Sequence, residues 1–478
     1  MTASRENLDA VVVGAGPNGL AAAIELARAG RSVVVLEANE TIGGGCRSAE
    51  LTLPGYVHDV CSAIHPLALA SPFFRSLNLE KLGVRVLHPE IPLAHPFDDG
   101  TAALLRRSVE ETAAAFGDRD ARAYRRLLGP LVDNAEGLVQ ELLGPFRIPK
   151  HPISMARFGL RGLRSVEGLA NGRFVGDAPK ALIAGCAAHS ILPLDKIPTA
   201  AVGLVLAFVA HYVGWPVIEG GSQKLADALA SYLRELGGEI RTGVTVSAMK
   251  DVPRSKAVLF DLTPRQIADI AGHYLPDRYR SRLQRFRYGP GVFKIDWALS
   301  EPVPWKNPDC AKASTVHVGG KLRELAASEL APWKGRVPEE PYVLVGQQSS
   351  IDPSRAPAGK HTLWAYCHVP HGSTVDMTGR VEAQLERFAP GFKDTILARN
   401  TMNTEEVRAH NSNYIGGDIN GGVQDLGQLF TRPVARLNPY TTPNKRLYIC
   451  SSSSPPGGGV HGMCGFYAAR AALSRTLS

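Results

Sequence analysis

Three glycines in the spacing Gly14-x-Gly16-x-x-Gly19 follow the apolar run Ala10–Val13 and open the alanine-rich stretch LAAAIELARAG. That spacing suits recognition of a dinucleotide diphosphate. Gly14 permits a tight turn, Gly16 lets the backbone approach the phosphates, and Gly19 lets a helix pack close to a strand. Pro17 and Asn18 lie in the same turn, where the first N–H groups of a helix face an anion. A second apolar run, Ser32–Leu36, ends in Glu37 followed by Ala38, and a carboxylate at that point can accept bonds from ribose hydroxyls. The order strand, turn, helix, strand, acid is what such a site requires.

The cofactor can be NAD or FAD on this motif alone. A second glycine cluster, GGGCRS, places Gly44, Gly45 and Arg47 just beyond Glu37. It fits the longer FAD, with Arg47 neutralising phosphate charge. A third glycine loop lies near the C-terminus, in RLYICSSSSPPGGGVHGMCGFYAARAAL. An apolar strand precedes it and a helix starts near Met463. Gly457-x-Gly459-x-x-Gly462 repeats the first spacing, but no strand with a terminal acid follows. The loop is therefore not read as a second nucleotide site.

These segments, together with GYVHDVCSAIHPL and the stretch Gly214–Val246, resemble the phytoene dehydrogenase-like FAD oxidoreductases of the amine oxidase and carotenoid desaturase superfamily. They are also similar to the group named for pyridine nucleotide-disulfide oxidoreductase domains. The resemblance runs from end to end. It implies an α/β fold: a Rossmann-type FAD-binding domain interleaved with an α+β substrate domain of mixed sheet and helices. The expected boundaries are 1–64, 213–275 and 411–478 for the FAD domain, and 65–212 and 276–410 for the substrate domain. The resemblance further implies non-covalent FAD, a backbone contact from Val246 to the adenine, and a return of the C-terminal loop to the flavin, so that Gly458, Gly459, Val460 and His461 join the same extended site.

Catalytic side chains are sparse, because FAD itself accepts a hydride. Lys294, in VFKIDW, is a charge in an apolar strand; in some amine oxidases such a lysine holds a water at the flavin. His461 lies in the C-terminal glycine loop. Lys294 and His461 are the catalytic candidates, with His58, Asp59, His65 and His189 behind them. His368 and His371 have a metal-like spacing, but two ligands make no site, so no metal site is expected.

Composition sets the remaining bounds. The 478 residues are 44% hydrophobic, enough for two to three domains. Seven cysteines without a CxxC pair point to a reducing, cytoplasmic setting and away from redox-disulfide chemistry. The net charge of +8 accompanies no nucleic-acid motif, and MTASRENLD carries no targeting signal. Ile197–Trp215 reads as a core helix lining a cavity. The stretch 142–166 carries five Lys or Arg and no acid, so peripheral contact with a membrane is expected there. The resemblance leaves three functions: dehydrogenation, desaturation or saturation of a hydrophobic, polyene- or isoprenoid-like substrate; oxidation of an amine or other C–N bond with O2; or a flavoprotein that chiefly binds.

Overall fold

The computed structural model describes residues 8–478; residues 1–7 of the stretch read as lacking a targeting signal lie outside them. A five-stranded parallel sheet runs in the order Leu447–Ile449, Ser255–Phe260, Leu8–Val13, Val33–Leu36, Glu239–Arg241. Its strands are continuous apolar runs because both faces are covered. Ala10 and Val12 pack with Leu20 and Ala21 of the helix Pro17–Arg28, while Val11 and Val13 pack with Ile267 and Leu283 on the opposite face. The chain leaves Leu8–Val13 to one side first and to the other later. The crevice between Leu8–Val13 and Ser255–Phe260 is therefore a topological switch point, where open α/β sheets bind ligands beyond the carboxyl ends of their strands. Gly14, Glu37 and Asp261 are the residues that follow three of those ends.

A seven-stranded mixed sheet forms the second layer, in the order Ile396–Met402, Gly291–Leu299, His361–Val369, Val343–Gly346, Ala313–Val318, Ile91–Pro96, Ala102–Leu105. All pairs are antiparallel except Ala313–Val318 with Ile91–Pro96. The two-residue period decides which side chains face the cleft. Phe293, Ile295, Trp297 and Leu299 enter an apolar core with Leu363, Ala365 and Cys367. The alternate residues Val292, Lys294, Asp296, Trp364 and Tyr366 therefore share the other face, with Lys294 opposite Tyr366 and Asp296 opposite Trp364.

Asp118–Val132 and Ala135–Leu142 are separate helices. So are Asp177–Ala188 and Thr199–Val213, with His189 in the break. The strand Glu239–Arg241 is short. Its continuation is a loop, tied by the Val244 N–H to the Glu37 carbonyl at 2.8 Å. Among the described residues no helix is long and apolar enough to cross a membrane.

Candidate functional site

A cleft of about 480 Å³ runs from the carboxyl ends of the parallel strands to the mixed sheet. At one end the glycine turns form its wall. Gly14 has φ +106°, and a Cβ on Gly19 would lie 2.0 Å from the Gly14 carbonyl oxygen, so the helix Pro17–Arg28 can seat only on a glycine there. Pro17 opens that helix at no hydrogen-bond cost. Gly44, at φ +53°, would bring a Cβ within 3.0 Å of the Gly16 Cα, so the first two glycine turns meet backbone to backbone.

Glu37 is buried at the rim of this wall. Its Oε2 accepts the Ala15 N–H at 2.8 Å, and its Oε1 accepts the Asn39 N–H at 3.0 Å and Nδ2 at 2.9 Å. Arg47 is also buried; it donates from Nε to the Gly44 carbonyl at 3.1 Å and from Nη2 to the His410 carbonyl. Burial lowers its pKa, the Glu37 carboxylate partly opposing the shift. Gly14, Gly16, Pro17, Asn18, Glu37, Ala38, Gly44, Gly45, Arg47, Val246, Gly459 and Val460 all line the cleft.

Four candidates lie elsewhere. Gly19 packs behind the turn and gives its N–H to Asp261 at 2.9 Å. Gly458 packs against Asn420. His461 is fully buried behind the loop. Its Nε2 pairs with the Gly457 carbonyl at 3.2 Å, and its Nδ1 accepts the Met463 N–H at 3.1 Å. Burial lowers its pKa to about 4, so the ring is a neutral helix cap with both nitrogens engaged. Lys294 is buried but lies off the main cleft, bonded to Asp296. It borders a side cavity of about 20 Å³ together with Cys61, Trp364, Tyr366 and Tyr414, which also line the main cleft. That volume holds about one water molecule.

Of the weaker candidates, His65 and His189 line the cleft. Burial lowers the pKa of both, His65 to about 4 and His189 to about 3. His58 and Asp59 lie outside it; Asp59 forms a buried pair with Arg355 at 2.9 Å. Asp261, Asn413 and Tyr414 also belong to the cleft wall and were not picked out from the sequence. Asp261 carried one legible signal, a lone acid ending the apolar strand AVLF before Thr-Pro. Leu206, Trp215, Leu344, Trp364 and Tyr366 form the far, apolar end. No strand pattern reveals that end, because it depends on how the two sheets meet.

The residues fit FAD. The glycine wall leaves backbone surface that any Cβ would fill, and the buried Asn18 Oδ1 in the helix's first turn has no partner. Glu37, Asn18 and the glycine turns would hold the nucleotide portion, with Val246 and the loop Gly459–Val460 completing the wall. All seven cysteines are free and, among the described residues, no cluster of three or more His, Cys, Asp or Glu could hold a metal.

Comparison with known proteins agrees with this geometry. Residues 12–77 match the NAD(P)-binding Rossmann-like domain. The chain is 27% identical to pyridine nucleotide-disulfide oxidoreductase domain-containing protein 2 of Mus musculus, over 96% of this chain and 92% of that protein. It is 25% identical to the neurosporene-forming phytoene desaturase of Rhodobacter capsulatus, over 95% and 92%. A solved putrescine oxidase variant shares its fold at a TM-score of 0.63 and 17% identity, covering 99% of both chains. Fold and cleft thus define a Rossmann-type FAD-dependent oxidoreductase. Within that class the chain is similar to a phytoene dehydrogenase of Streptomyces griseus, 27% identical over 81% of this chain and 77% of that protein.

Proposed function

We propose that this oxidoreductase dehydrogenates, desaturates or saturates a hydrophobic, polyene- or isoprenoid-like substrate. The observation that carries this reading is the distribution of charge along the cleft. Among the lining residues the acids are Glu37 and Asp261, and both sit at the glycine-walled end. The far end presents Leu206, Trp215, Leu344 and Trp364, with Thr315, His189 and Tyr366 as polar points. An ammonium substrate would find no carboxylate there, and desolvating an unpaired cation costs several kcal/mol. Trp364 and Tyr366 stand at 89° to each other and do not form two parallel walls around an amine. An extended apolar chain meets neither objection.

Bound FAD supplies hydride transfer at N5. The protein's part is to hold a C–H bond against that centre, exclude water and fix charge nearby. Lys294 is the residue we assign to the last task. Asp296 bonds it directly, and the adjoining side cavity has room for one water. The same reading includes peripheral contact with a membrane through 142–166, since an apolar substrate resides in lipid.

The test is anaerobic mixing of the holoenzyme with candidate donors while the flavin absorbance is followed. Bleaching by a polyene or isoprenoid donor in detergent micelles, and none with primary amines, is the expected result. Rapid bleaching by an alkyl amine would overturn the substrate class.

A further inference from the structure

Asp261 is a carboxylic acid in an unusual place. It follows the strand Ser255–Phe260 at the switch point, beside the turn that would hold the cofactor's diphosphate. Its Oδ2 accepts the Gly19 N–H at 2.9 Å and lies 2.8 Å from where a Gly16 Cβ would be. Its Cβ lies 3.0 Å from where a Gly14 Cβ would be. Thus all three glycines of the motif pack on this one side chain. The residue is only 7% exposed, it lines the cleft, and its Oδ1 takes no hydrogen bond among the described residues.

No cation compensates it. The ionisable group acting on it is the Glu37 carboxylate, from the end of the neighbouring strand, and Asp261 itself raises the thiols of Cys450 and Cys464. Burial keeps both thiols protonated. Arg47 is directed to the Gly44 and His410 carbonyls. The nearest residues of the helix Pro17–Arg28 and of the segment 411–413 are uncharged. An ionised Asp261 would therefore stand unpaired beside Glu37 and against an incoming diphosphate, three like charges in a water-poor crevice. Burial and Glu37 raise its pKa to about 7, against the lowering by the Gly19 N–H.

We propose that Asp261 holds the cofactor's diphosphate as a neutral carboxylic acid, so that FAD binding takes up one proton and weakens at alkaline pH. The acid keeps its carbonyl oxygen on the Gly19 N–H and donates its proton to a phosphate oxygen. The proton comes from solvent and no covalent bond changes. The inference rests on the assignment of FAD to this cleft.

The sign follows from linkage. If only the protonated form binds well, the apparent Kd is constant below about pH 7 and rises about tenfold per pH unit above it. Asn supplies the same acceptor and a permanent donor, so Asp261→Asn should bind FAD with a Kd that does not vary with pH.

FAD titrated into the deflavinated full-length chain between pH 6 and 8.5, read by flavin fluorescence, tests this. Calorimetry at pH 8 in two buffers of different ionisation enthalpy counts the protons. The expected result is a weakening of about fivefold from pH 7 to 8 and about tenfold from pH 6 to 8, near one proton taken up at pH 8, and a flat profile for Asp261→Asn. A flat wild-type profile, or no proton uptake at pH 8, overturns the proposal. So does Asp261→Asn that retains the wild-type slope. If Asp261→Asn fails to fold by circular dichroism, the wild-type slope and proton count decide alone. FAD binding at no pH would instead overturn the cofactor assignment, and this proposal with it.

Discussion

At the scale of single residues, Glu37 has two tasks that share one carboxylate. It fixes the turn through Ala15 and Asn39 and presents its remaining lone pairs to the cleft. Glu37→Gln keeps the shape but replaces one acceptor oxygen by a donor, either against the Ala15 N–H or on the side facing Asn39. It also removes the charge that strengthens bonds from ribose hydroxyls. A loss of roughly 1 kcal/mol at each of two bonds gives a rise of about tenfold or more in FAD Kd, with the fold intact. Fluorescence titration at pH 6, where Asp261 is protonated, measures this; an unchanged Kd would make Glu37 a purely structural acid. His461 illustrates the opposite case. Its place in a glycine loop suggested chemistry, but the helix Met463–Arg475 that follows the loop needs its N-terminus capped, and the imidazole does that.

At the scale of elements, the nucleotide end depends on two helices packed without intervening side chains. A Cβ on Gly465, in the helix Met463–Arg475, would lie 1.8 Å from the Asn18 carbonyl oxygen of the helix Pro17–Arg28. Gly465→Ala must therefore push the helices apart and displace Asn18, which lines the cleft. The expected cost is about 1–3 kcal/mol in urea-induced unfolding, accompanied by weaker FAD binding. Wild-type stability and affinity would show that the pair yields without strain. This end of the molecule was legible in the sequence because its parts are local: a strand, a glycine turn, a helix and an acid in one stretch. The apolar end was not. Leu344, Trp364 and Tyr366 reach the cleft through strand register in the mixed sheet. Lys294 read as an odd charge from sequence, and only the pairing with His361–Val369 places it opposite Tyr366. Asp261 is intermediate: its acid was visible, but its proximity to Gly14, Gly16 and Gly19 depends on a parallel pairing across more than half the chain.

At the scale of the whole molecule, the stretch 142–166 is where an apolar substrate's source would be engaged. The sequence drew attention to its five basic residues, and the structure redistributes the roles. Arg161 donates to the Leu127 and Arg126 carbonyls, and Arg164 to the Gly168 carbonyl. Arg147 pairs with Glu141. Among the described residues, the side chains of Lys150 and Arg157 are left with neither an ion pair nor a hydrogen bond. What stands out instead is apolar: Phe146, Ile148 and Leu160 are 85%, 93% and 80% exposed, and Phe430 packs edge-on against Phe146 at 5.8 Å. The helix Pro152–Gly162 also packs on the helix Thr199–Val213, whose Leu206 lines the cleft, so the patch and the cavity are one helix apart. Each buried Phe, Ile or Leu is worth about 1.5–3 kcal/mol, against about 1 kcal/mol for a cation near anionic lipid. Insertion should therefore dominate over charge. In liposome flotation, Phe146→Ser and Leu160→Ser should each lower vesicle binding about tenfold or more on neutral and anionic lipid alike. Lys150→Gln and Arg157→Gln should act only on anionic vesicles and more weakly. Wild-type flotation of both Ser variants would sink the membrane assignment. So would a concentration-dependent dimer in sedimentation that those substitutions abolish, because a second copy would then be what covers the patch.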